Sequence, residues 1–297
     1  MRRKFYDRKI GEAVLLRRIS EEFPEIKWKS CRYITHGWNH AVLILDEKIV
    51  FRIPKSPRYR KELKYEISLL NCLRKEVRVG IPNYNYVSRD KLLAGYDMLA
   101  GCELTASRFQ QLSPLEIDIV AKQLAEFITT LHATPESTTE KFHVKTEDQR
   151  KLYEELVRDT KMLLFHRLSQ EDVQLCEQYF AELKAALDHD FAKVLVHNDL
   201  TGSHILWDAE NRQINIIDFS DRKFDDPASD FTGFLEYGWE FTKHAFDLYG
   251  GKKDDGLLDR SHLHFKRIPL YLMNGSLQGL PCTFEDGYKM FQERFKT

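Results

Sequence analysis

Residues 194–219, VLVHNDLTGSHILWDAENRQINIIDF, concentrate side chains that can do acid–base and metal chemistry. The apolar run VLV leads directly into His197 and Asp199, and the apolar run INII leads into Asp218. Rigid scaffolds often place catalytic side chains where a buried strand passes into a polar turn. The segment therefore indicates a reaction centre at the ends of two strands.

These residue types fit the transfer of a phosphoryl group from a nucleotide to a hydroxyl group. That reaction needs a carboxylate at the incoming hydroxyl, hard oxygen ligands for the metal that bridges the phosphates, and positive charge nearby. Asp199 is the candidate catalytic residue, which would orient the acceptor hydroxyl and take its proton. Asp218 is the candidate Mg²⁺ ligand, because carboxylate oxygen suits a hard cation. His204, five residues after Asp199, is the candidate second metal ligand.

In these motifs the chain resembles the antibiotic kinases with a protein-kinase-like fold, especially the aminoglycoside 2''-phosphotransferases. Their catalytic loop reads His, any residue, Asp and, after four more residues, a metal ligand; the matching residues here are His197, Asp199 and His204. Their metal-binding triplet matches Asp218-Phe219-Ser220. Most relatives carry asparagine at the His204 position, and histidine is shared with the 2''-acting branch and with macrolide kinases. Imidazole is an unusual ligand for Mg²⁺.

The resemblance spans nearly the whole chain and implies an α+β, two-lobed protein-kinase-like fold. A small antiparallel-sheet lobe that binds the nucleotide is expected over residues 1–100, and a mainly helical lobe with the catalytic and substrate residues over 101–297. The implied enzyme transfers the γ-phosphoryl group of GTP or ATP, with Mg²⁺, to a hydroxyl of an aminoglycoside. The implied position is the 2''-hydroxyl, and the outcome is antibiotic resistance.

The nucleotide side requires a cation on a strand and a carboxylate on the following helix. The family's cation is a lysine in the motif F-K-x-P-K, and Arg52 occupies that position here, with Glu66 at the position of the helix glutamate. Arginine can grip phosphate and carboxylate in a fork but is not interchangeable with lysine. Two alternatives stay open: Lys55 takes over the role, or Arg52 is an exposed strand residue paired with a surface acid.

The resemblance also places a nucleotide loop and an interlobe hinge. The loop, THGWNH at residues 35–40, contains a single glycine, Gly37, and on its own is a weak signal. The hinge runs from Tyr96 to Gly101, so backbone groups near Asp97 and Leu99 would read the edge of the purine. A phenol at Tyr96 narrows the space behind an adenine amino group and favours guanine. The alternative is that Tyr96 is simply a core residue.

An aminoglycoside is a polycation, so its pocket should be acidic. Asp221, Glu236 and Glu240 are the candidate acids, and Trp239 could supply a flat apolar wall. Glu236 and Glu240 are four residues apart in the run FLEYGWEFTKH, which predicts a shared helix face. The alternative for this pair is a solvated helix surface.

Two further residues are expected to support the catalytic loop. His197 is expected to be a core histidine whose hydrogen bonds brace the loop, not a base. Asp230, in the run DPASDF, matches the family's aspartate that braces the same loop.

Composition limits the possible partners. Lys+Arg 45 against Asp+Glu 46 gives no overall basic field for nucleic acid. The five cysteines are widely spaced and never form C-x-x-C, which argues against a zinc site or a disulfide framework. No apolar run approaches the ~20 residues of a membrane span, and the first residues do not read as a signal peptide. We therefore expect a cytoplasmic enzyme with a small-molecule substrate and no obligate protein partner.

Hydrophobic periodicity predicts the elements that position these residues. Helices are predicted over residues 7–22, 60–73, 114–132, 150–167 and 171–187. Strands are predicted over residues 26–34, 40–45, 49–53, 83–88 and 92–99. The turn Asp46-Glu47-Lys48 predicts a hairpin, Ser113 with Glu116 has capping-box spacing, and the polar stretch 134–142 predicts a loop. The change from short strands to long helices places the boundary near residues 99–102.

Competing functions are a macrolide kinase, another small-molecule kinase, and a catalytically silent nucleotide-binding module. A macrolide kinase would need a more apolar acceptor pocket. Arg52 and the glycine-poor loop motivate the silent module, whereas Asp199 and Asp218 together argue against it.

Overall fold

The chain enters the first of its two structural units twice in this computed structural model, which describes residues 11–296. The first unit comprises the chain up to Cys102 together with Leu206–Ser220. The second comprises Glu103–Ile205 and the chain from Asp221 onward. The return segment of the first unit carries Asp218.

An antiparallel sheet with two helices forms most of the first unit. The elements before the hinge are α1 (Glu12–Glu22), β1 (Cys31–Ile34), β2 (His40–Leu45), β3 (Ile49–Pro54), α2 (Pro57–Leu73), β4 (Tyr86–Val87) and β5 (Ala94–Asp97). The sheet order is β1-β2-β3-β5-β4, and each pair of neighbours is antiparallel. Leu15 and Ile19 of α1 pack with Leu43 and Phe51 of the sheet. The central position of β3 makes its inward side chains buried.

The predicted hairpin between β2 and β3 is confirmed. Asp46 and Glu47 adopt left-handed φ angles of 50° and 49°, and Lys48 N–H donates to the Leu45 carbonyl at 2.9 Å. The Asp46 carboxylate also accepts the amides of Lys29 and Ser30, at 2.9 and 2.6 Å. Those amides are therefore unavailable to a strand ladder, and the strand predicted over residues 26–34 is confined to Cys31–Ile34.

The strand predicted over residues 40–45 is confirmed with its predicted bounds, and the remaining predictions for the first unit are confirmed in type but differ in length. α2 begins at Pro57, earlier than the predicted residue 60, because the Ser56 side chain caps it by accepting the Tyr59 amide. The strands predicted over residues 83–88 and 92–99 are shortened to β4 and β5. Of the helix predicted over residues 7–22, residues 7–10 lie outside the described part of the chain.

The second unit is mainly helical. Its helices are α3 (Ala106–Phe109), α4 (Pro114–His132), α5 (Glu136–Lys141), α6 (Gln149–Leu163), α7 (Gln170–Leu187), α8 (Ala228–Phe231), α9 (Trp239–Leu248), α10 (Leu257–Leu277) and α11 (Phe284–Phe295). Its core packs side chains of α6, α7, α10 and α11, including Leu183, Leu270 and Phe291. None of the helices in residues 11–296 is long and apolar enough to cross a membrane.

α4 has the predicted bounds and the predicted cap. The Ser113 side chain accepts the Glu116 amide, and the Glu116 carboxylate accepts the Ser113 amide at 2.8 Å. The loop predicted over residues 134–142 is wrong, because Glu136–Lys141 is a short helix. Pro135 precedes its first turn and the Thr139 hydroxyl bonds back to the Glu136 carbonyl at 2.7 Å, so polar side chains that favour a loop are used inside a helix.

Short strands deliver the candidate reactive residues. They are β6 (Cys102–Glu103), β7 (Val194–Val196), β8 (Ile205–Asp208), β9 (Gln213–Ile216) and β10 (Lys223–Asp225). β7 pairs antiparallel with β10, and β8 lies beside β9. The small antiparallel sheet of the first unit and the helices of the second confirm the predicted α+β fold class.

Candidate active site

Arg52 is the buried cation of the first unit. It lies on β3 between Val42 of β2 and Ala94 of β5, and only 5% of its surface is exposed. Its Nη1 donates to Glu66 Oε1 at 2.5 Å, and Glu66 on α2 is 1% exposed. The predicted ion pair is therefore formed, and Arg52 is not an exposed strand residue.

The other side of the Arg52 guanidinium reaches the segment that follows β9. Nη2 donates to Asp218 Oδ1 at 2.9 Å and to Ser220 Oγ at 2.5 Å. Nη2 also lies 3.1 Å from His40 Nδ1, and because a guanidinium can only donate, that nitrogen accepts and the ring proton is on Nε2. Arg52 thus links the helix carboxylate to the candidate metal ligand.

Charge around Arg52 keeps it protonated. Burial lowers the pKa of Arg52, but the charge of Glu66 and the nearby Tyr84 and Asp218 raise it by more, so the pKa lies well above its ordinary value. Tyr84 donates its hydroxyl to Glu66 at 2.9 Å and accepts from Arg52 Nη1 at 2.8 Å. Tyr84 was not predicted as a site residue, because its partners are distant in the chain.

Lys55 is engaged elsewhere in the same unit. Its Nζ donates to the carbonyls of Thr35 and Gly37, at 2.6 and 2.5 Å. Glu66 is paired with Arg52, so the geometry favours Arg52 over Lys55 as the cation of the helix pair.

The backbone conformation of Asp218 and a local hydrogen bond orient its carboxylate. Its φ is 60°, in the left-handed region that non-glycine residues seldom adopt, and the Ser220 amide donates to its Oδ1 at 3.2 Å. Although Arg52 binds the same oxygen, 41% of the Asp218 side chain remains exposed. A carboxylate has about four lone-pair sites, so Asp218 can bind a metal cation while it also accepts the hydrogen bond from Arg52.

Tyr96, the first residue of the expected hinge, lies near this charged group. Tyr96 of β5 is buried, and its ring meets the ring of Tyr84 edge-on at 5.2 Å. Burial raises the pKa of Tyr96 to about 12, against the lowering effect of Arg52, so its phenol is neutral. Asp97 is exposed and accepts from the Tyr86 hydroxyl at 3.1 Å, and Leu99 is partly exposed. Tyr96 is thus both a core residue and a neighbour of Arg52.

The catalytic loop of the second unit begins at the end of β7. His197 is fully buried, and its Nδ1 accepts the Asp199 amide at 3.3 Å, as expected of a histidine that braces the loop. His204 Nδ1 lies 2.9 Å from the Asp199 carbonyl and 3.1 Å from Asp199 Oδ2. Both partners are acceptors, so the His204 proton is on Nδ1.

Asp230 holds the same loop in place through hydrogen bonds to its backbone amides. Its carboxylate is fully buried and accepts the amides of His197 and Asn198, at 3.0 and 2.7 Å. His132, the last residue of α4, reaches Asp230 Oδ2 at 3.0 Å through Nε2 and the Tyr249 hydroxyl at 2.7 Å through Nδ1. The position predicted for Asp230 therefore fits the geometry. His132 was not foreseen, because a histidine at a helix end carries no distinguishing pattern.

The prediction that Glu236 and Glu240 share a helix face is wrong. Glu236 belongs to the 3-10 helix Gly233–Tyr237, whereas Trp239 and Glu240 open α9. Gly238 separates them with a φ of 102°, which breaks the helical path.

The candidate acceptor residues have different environments. Glu236 Oε2 accepts the Gly202 amide of the catalytic loop at 3.4 Å, so this acid is partly committed to the loop. Trp239 is 45% exposed, and Glu240 and Asp221 are also exposed. Glu240, an exposed acid next in sequence to the exposed indole of Trp239, can meet a polar cationic molecule.

The donor atoms of each unit suit Mg²⁺. Within residues 11–296 there is no group of three or more side chains of the metal-binding types. Mg²⁺ does not need such a group, because it binds through one or two carboxylates together with substrate phosphates and water. Asp218 offers carboxylate oxygen, and His204 offers Nε2, with Nδ1–H held by Asp199 as metal-binding histidines are usually held.

This fold and these residues define a class of protein: enzymes that transfer phosphoryl groups to alcohols. A model of the phosphotransferase enzyme family matches residues 30–262, well over half of the chain. The chain belongs to this family and is a phosphotransferase with an alcohol group as acceptor.

Several solved structures are similar to this chain over almost its full length. The chain is similar to the GDP and kanamycin complex of APH(2")-IIia, with 25% identity and a TM-score of 0.84, over 95% of this chain and 98% of that one. It is similar to the GDP complex of aminoglycoside 2'-phosphotransferase-IIIa, with 24% identity and a TM-score of 0.86, over 97% and 99%. The macrolide 2'-phosphotransferase MphH from Brachybacterium faecium shares 18% identity and a TM-score of 0.68, over 95% and 97%. These similarities confirm the kinase-like fold.

Proposed function

We propose that this enzyme transfers the γ-phosphoryl group of GTP or ATP to the 2''-hydroxyl of an aminoglycoside and so confers antibiotic resistance. The observation that carries the proposal is the buried Arg52, whose guanidinium joins Glu66 to Asp218. A buried cation held this way has a fixed position and a permanent charge, which is what the phosphate side of a kinase requires.

The acceptor chemistry is assigned to Asp199. Its carboxylate, oriented by His204 and by a loop tied to Asp230, accepts the proton of the sugar hydroxyl as the hydroxyl oxygen attacks the γ-phosphorus. The bond between the γ-phosphorus and the β–γ bridging oxygen breaks in the same step, and the nucleoside diphosphate leaves. Asp218 and His204 are the proposed ligands of Mg²⁺. The metal, when bound, neutralises the charge of the phosphates. Arg52 and Glu66 set the position of Asp218 for this role.

The donor preference follows from Tyr96. Its neutral phenol is buried beside Tyr84 at the rear of the proposed base pocket, where it reduces the space for an adenine amino group. Backbone groups near Asp97 and Leu99 would read the purine edge. We therefore propose GTP as the better donor, with ATP also accepted.

An aminoglycoside acceptor is supported by the exposed acids of the second unit. Asp221, Glu240 and the partly committed Glu236 would meet ammonium groups, and Trp239 would cover a sugar face. A similar solved structure is a kanamycin complex. A small-molecule substrate, a cytoplasmic location and the absence of a nucleic-acid, membrane or obligate protein partner belong to the same proposal.

A coupled nucleotide-turnover assay tests this function. The purified protein is given GTP or ATP separately, with a panel of aminoglycosides that carry or lack a 2''-hydroxyl and a panel of macrolides. We expect turnover only with 2''-hydroxyl aminoglycosides, faster with GTP, and a product phosphorylated at that position by nuclear magnetic resonance. Turnover with macrolides alone would refute the aminoglycoside assignment and favour the macrolide kinase that His204 also suggests.

A further inference from the structure

The turn between β1 and β2 is built differently from a glycine-rich nucleotide loop. Residues 35–39 contain one glycine, Gly37, where an added Cβ would lie 2.6 Å from the His40 carbonyl oxygen. Trp38 is 51% exposed. The backbone is therefore tightly packed at Gly37. Because the turn has no further glycine, other contacts must fix its conformation.

Lys55 supplies the missing constraint. The register His40↔Pro54 brings the residue after β3 beside the turn. The Lys55 amide donates to the Asn39 carbonyl at 3.1 Å, and its Nζ donates to the carbonyls of Thr35 and Gly37. An ammonium has three donors, so one side chain can hold two carbonyls at once.

These contacts fix the direction of two peptide groups. In a planar trans peptide the carbonyl of one residue points opposite to the N–H of the next. With the carbonyls of Thr35 and Gly37 turned toward Lys55, the amides of His36 and Trp38 point away from it. Neither amide donates a hydrogen bond to another residue in the described range 11–296.

Backbone amides of a turn that point the same way form a site for an anion. We propose that Lys55 is a positioning residue that turns the His36 and Trp38 amides toward the phosphates of the bound nucleotide. The inference rests on the proposed function, since it takes a nucleoside triphosphate as the ligand. It gives Lys55 a task other than replacing the family's lysine, which Arg52 does.

The test begins with the protein free of nucleotide. Lys55→Met removes the ammonium but keeps the stem, and Lys75→Met removes an exposed lysine of the same unit as a control. Nuclear magnetic resonance order parameters of the backbone at residues 35–39 should fall in Lys55→Met and stay at the wild-type values in Lys75→Met. Unchanged order parameters in Lys55→Met would show that the turn does not depend on Lys55 and would overturn the proposal.

The second measurement compares a nucleoside triphosphate with its nucleoside by titration calorimetry. Lys55→Met should weaken GTP binding about tenfold, the scale of one lost charge-assisted hydrogen bond, and leave guanosine binding unchanged. Its KM for GTP should rise while kcat stays within about twofold of the wild type. Equal losses for GTP and guanosine would assign Lys55 to general stability and overturn the proposal.

A third variant separates shape from charge. Gly37→Ala keeps Lys55 but forces the turn to move away from the His40 carbonyl, so it should also weaken GTP binding. Wild-type affinity in Gly37→Ala, together with a loss in Lys55→Met, would mean that the ammonium binds phosphate directly, against the proposal. A wild-type protein that binds neither GTP nor ATP would refute the proposed function itself, whatever the order parameters of the turn show.

Discussion

Arg52 does more than one ammonium group could do in its place. A guanidinium is planar and has five N–H donors in a fixed fork, whereas an ammonium is a compact point charge. The two ends of the Arg52 fork reach Glu66 and Asp218 simultaneously. The departure from the family's lysine is therefore also a change in how the first unit is held together.

Arg52→Ala should destabilise the protein as well as weaken nucleotide binding. It leaves Glu66, 1% exposed, without its cation, and breaking a buried ion pair in this way costs about 3–5 kcal/mol. Denaturant unfolding of Arg52→Ala measures this loss. Arg52→Lys should fall between the wild type and Arg52→Ala, because it can keep one of the two partners.

A double variant separates stability from function at this site. Arg52→Met with Glu66→Met removes both charges, so its free energy of unfolding should recover most of what Arg52→Ala loses. Its GTP affinity should not recover, because the cation is absent. Recovery of both quantities would remove Arg52 from nucleotide binding.

Asp199→Asn should lower turnover by about 10²- to 10⁴-fold, the usual contribution of a general base. Asparagine preserves the shape and the contact with His204 but cannot take a proton. Nucleotide affinity should stay near the wild-type value, measured by calorimetry. The exposed Asp190→Asn serves as a control for the loss of one charge, and a rate for Asp199→Asn within a few-fold of that control would contradict the assigned role.

At the scale of elements, prediction succeeded where local signals agree with tertiary packing. α4 combined a proline at its first turn, a capping box and a long apolar face, and its bounds were predicted without error. The strand over residues 26–34 was overestimated because Asp46, distant in sequence, takes two of its amides. Periodicity cannot reveal such a competitor.

The contacts of the site were likewise predictable where the partners are near in the chain and not where they are distant. Arg52 and Glu66 lie one strand-to-helix connection apart, so motif positions were enough to predict their pair. The contacts of Arg52 with Ser220 and of Asp230 with His132 join distant segments, and no spacing in the chain announces them. Glu236 and Glu240 had helical spacing, but the left-handed Gly238 between them broke the helix.

The 3-10 helix Gly233–Tyr237 is expected to fix the position of the catalytic loop through a close backbone contact. A Cβ at Gly233 would lie 1.9 Å from the Leu200 carbonyl oxygen, so the two backbones touch. Gly233→Ala should cost about 1 to 3 kcal/mol of unfolding free energy and lower kcat more than it changes nucleotide affinity. Gly11→Ala is the control, because its added methyl meets no atom of the described residues 11–296 within 4 Å. Equal kcat values in the two variants would show that the loop does not depend on this contact.

At the scale of the whole molecule, acid stability should depend on a buried cluster in the second unit. Arg260 donates to Asp226 at 2.7 Å and to Asp254 at 2.7 Å, and His264 lies 3.3 Å from Asp226. Burial raises the pKa of Asp226, but hydrogen bonds from His264 and Arg260 lower it by more, to about 2. A folded pKa below the ordinary 3.8 means that Asp226 stabilises the protein above that pH.

The contribution of Asp226 should disappear as the pH falls from about 5 toward 2. The shift corresponds to about 2 kcal/mol, which Asp226→Asn should lack at pH 7. The difference in unfolding free energy between the wild type and Asp226→Asn should therefore shrink steadily in denaturant titrations at pH 7, 5, 4 and 3. A difference that stays constant over this range would contradict the role of ionised Asp226, and the exposed Asp259→Asn serves as a control for the loss of one charge.

The return of the chain to the first unit should make a simple amino-terminal fragment unstable. Segment Leu206–Ser220 gives that unit the Ile216 amide bonded to the Gly80 carbonyl at 2.8 Å and the Asn215 side chain bonded to the Ala100 carbonyl at 2.8 Å. It also carries Asp218, a partner of Arg52. A fragment of residues 1–102 lacks all three contacts and leaves part of the Arg52 fork unpaired in the interior.

We expect residues 1–102 to melt without a cooperative transition when followed by circular dichroism. The same fragment joined to residues 206–220 by a flexible glycine–serine linker of about 20 residues should melt cooperatively, because the linker lets the segment return to its place. A fusion with residues 206–220 in scrambled order controls for added length. A cooperative transition at the same temperature in all three proteins would mean that the first unit ends near residue 100, and that the second visit of the chain adds Asp218 without adding stability.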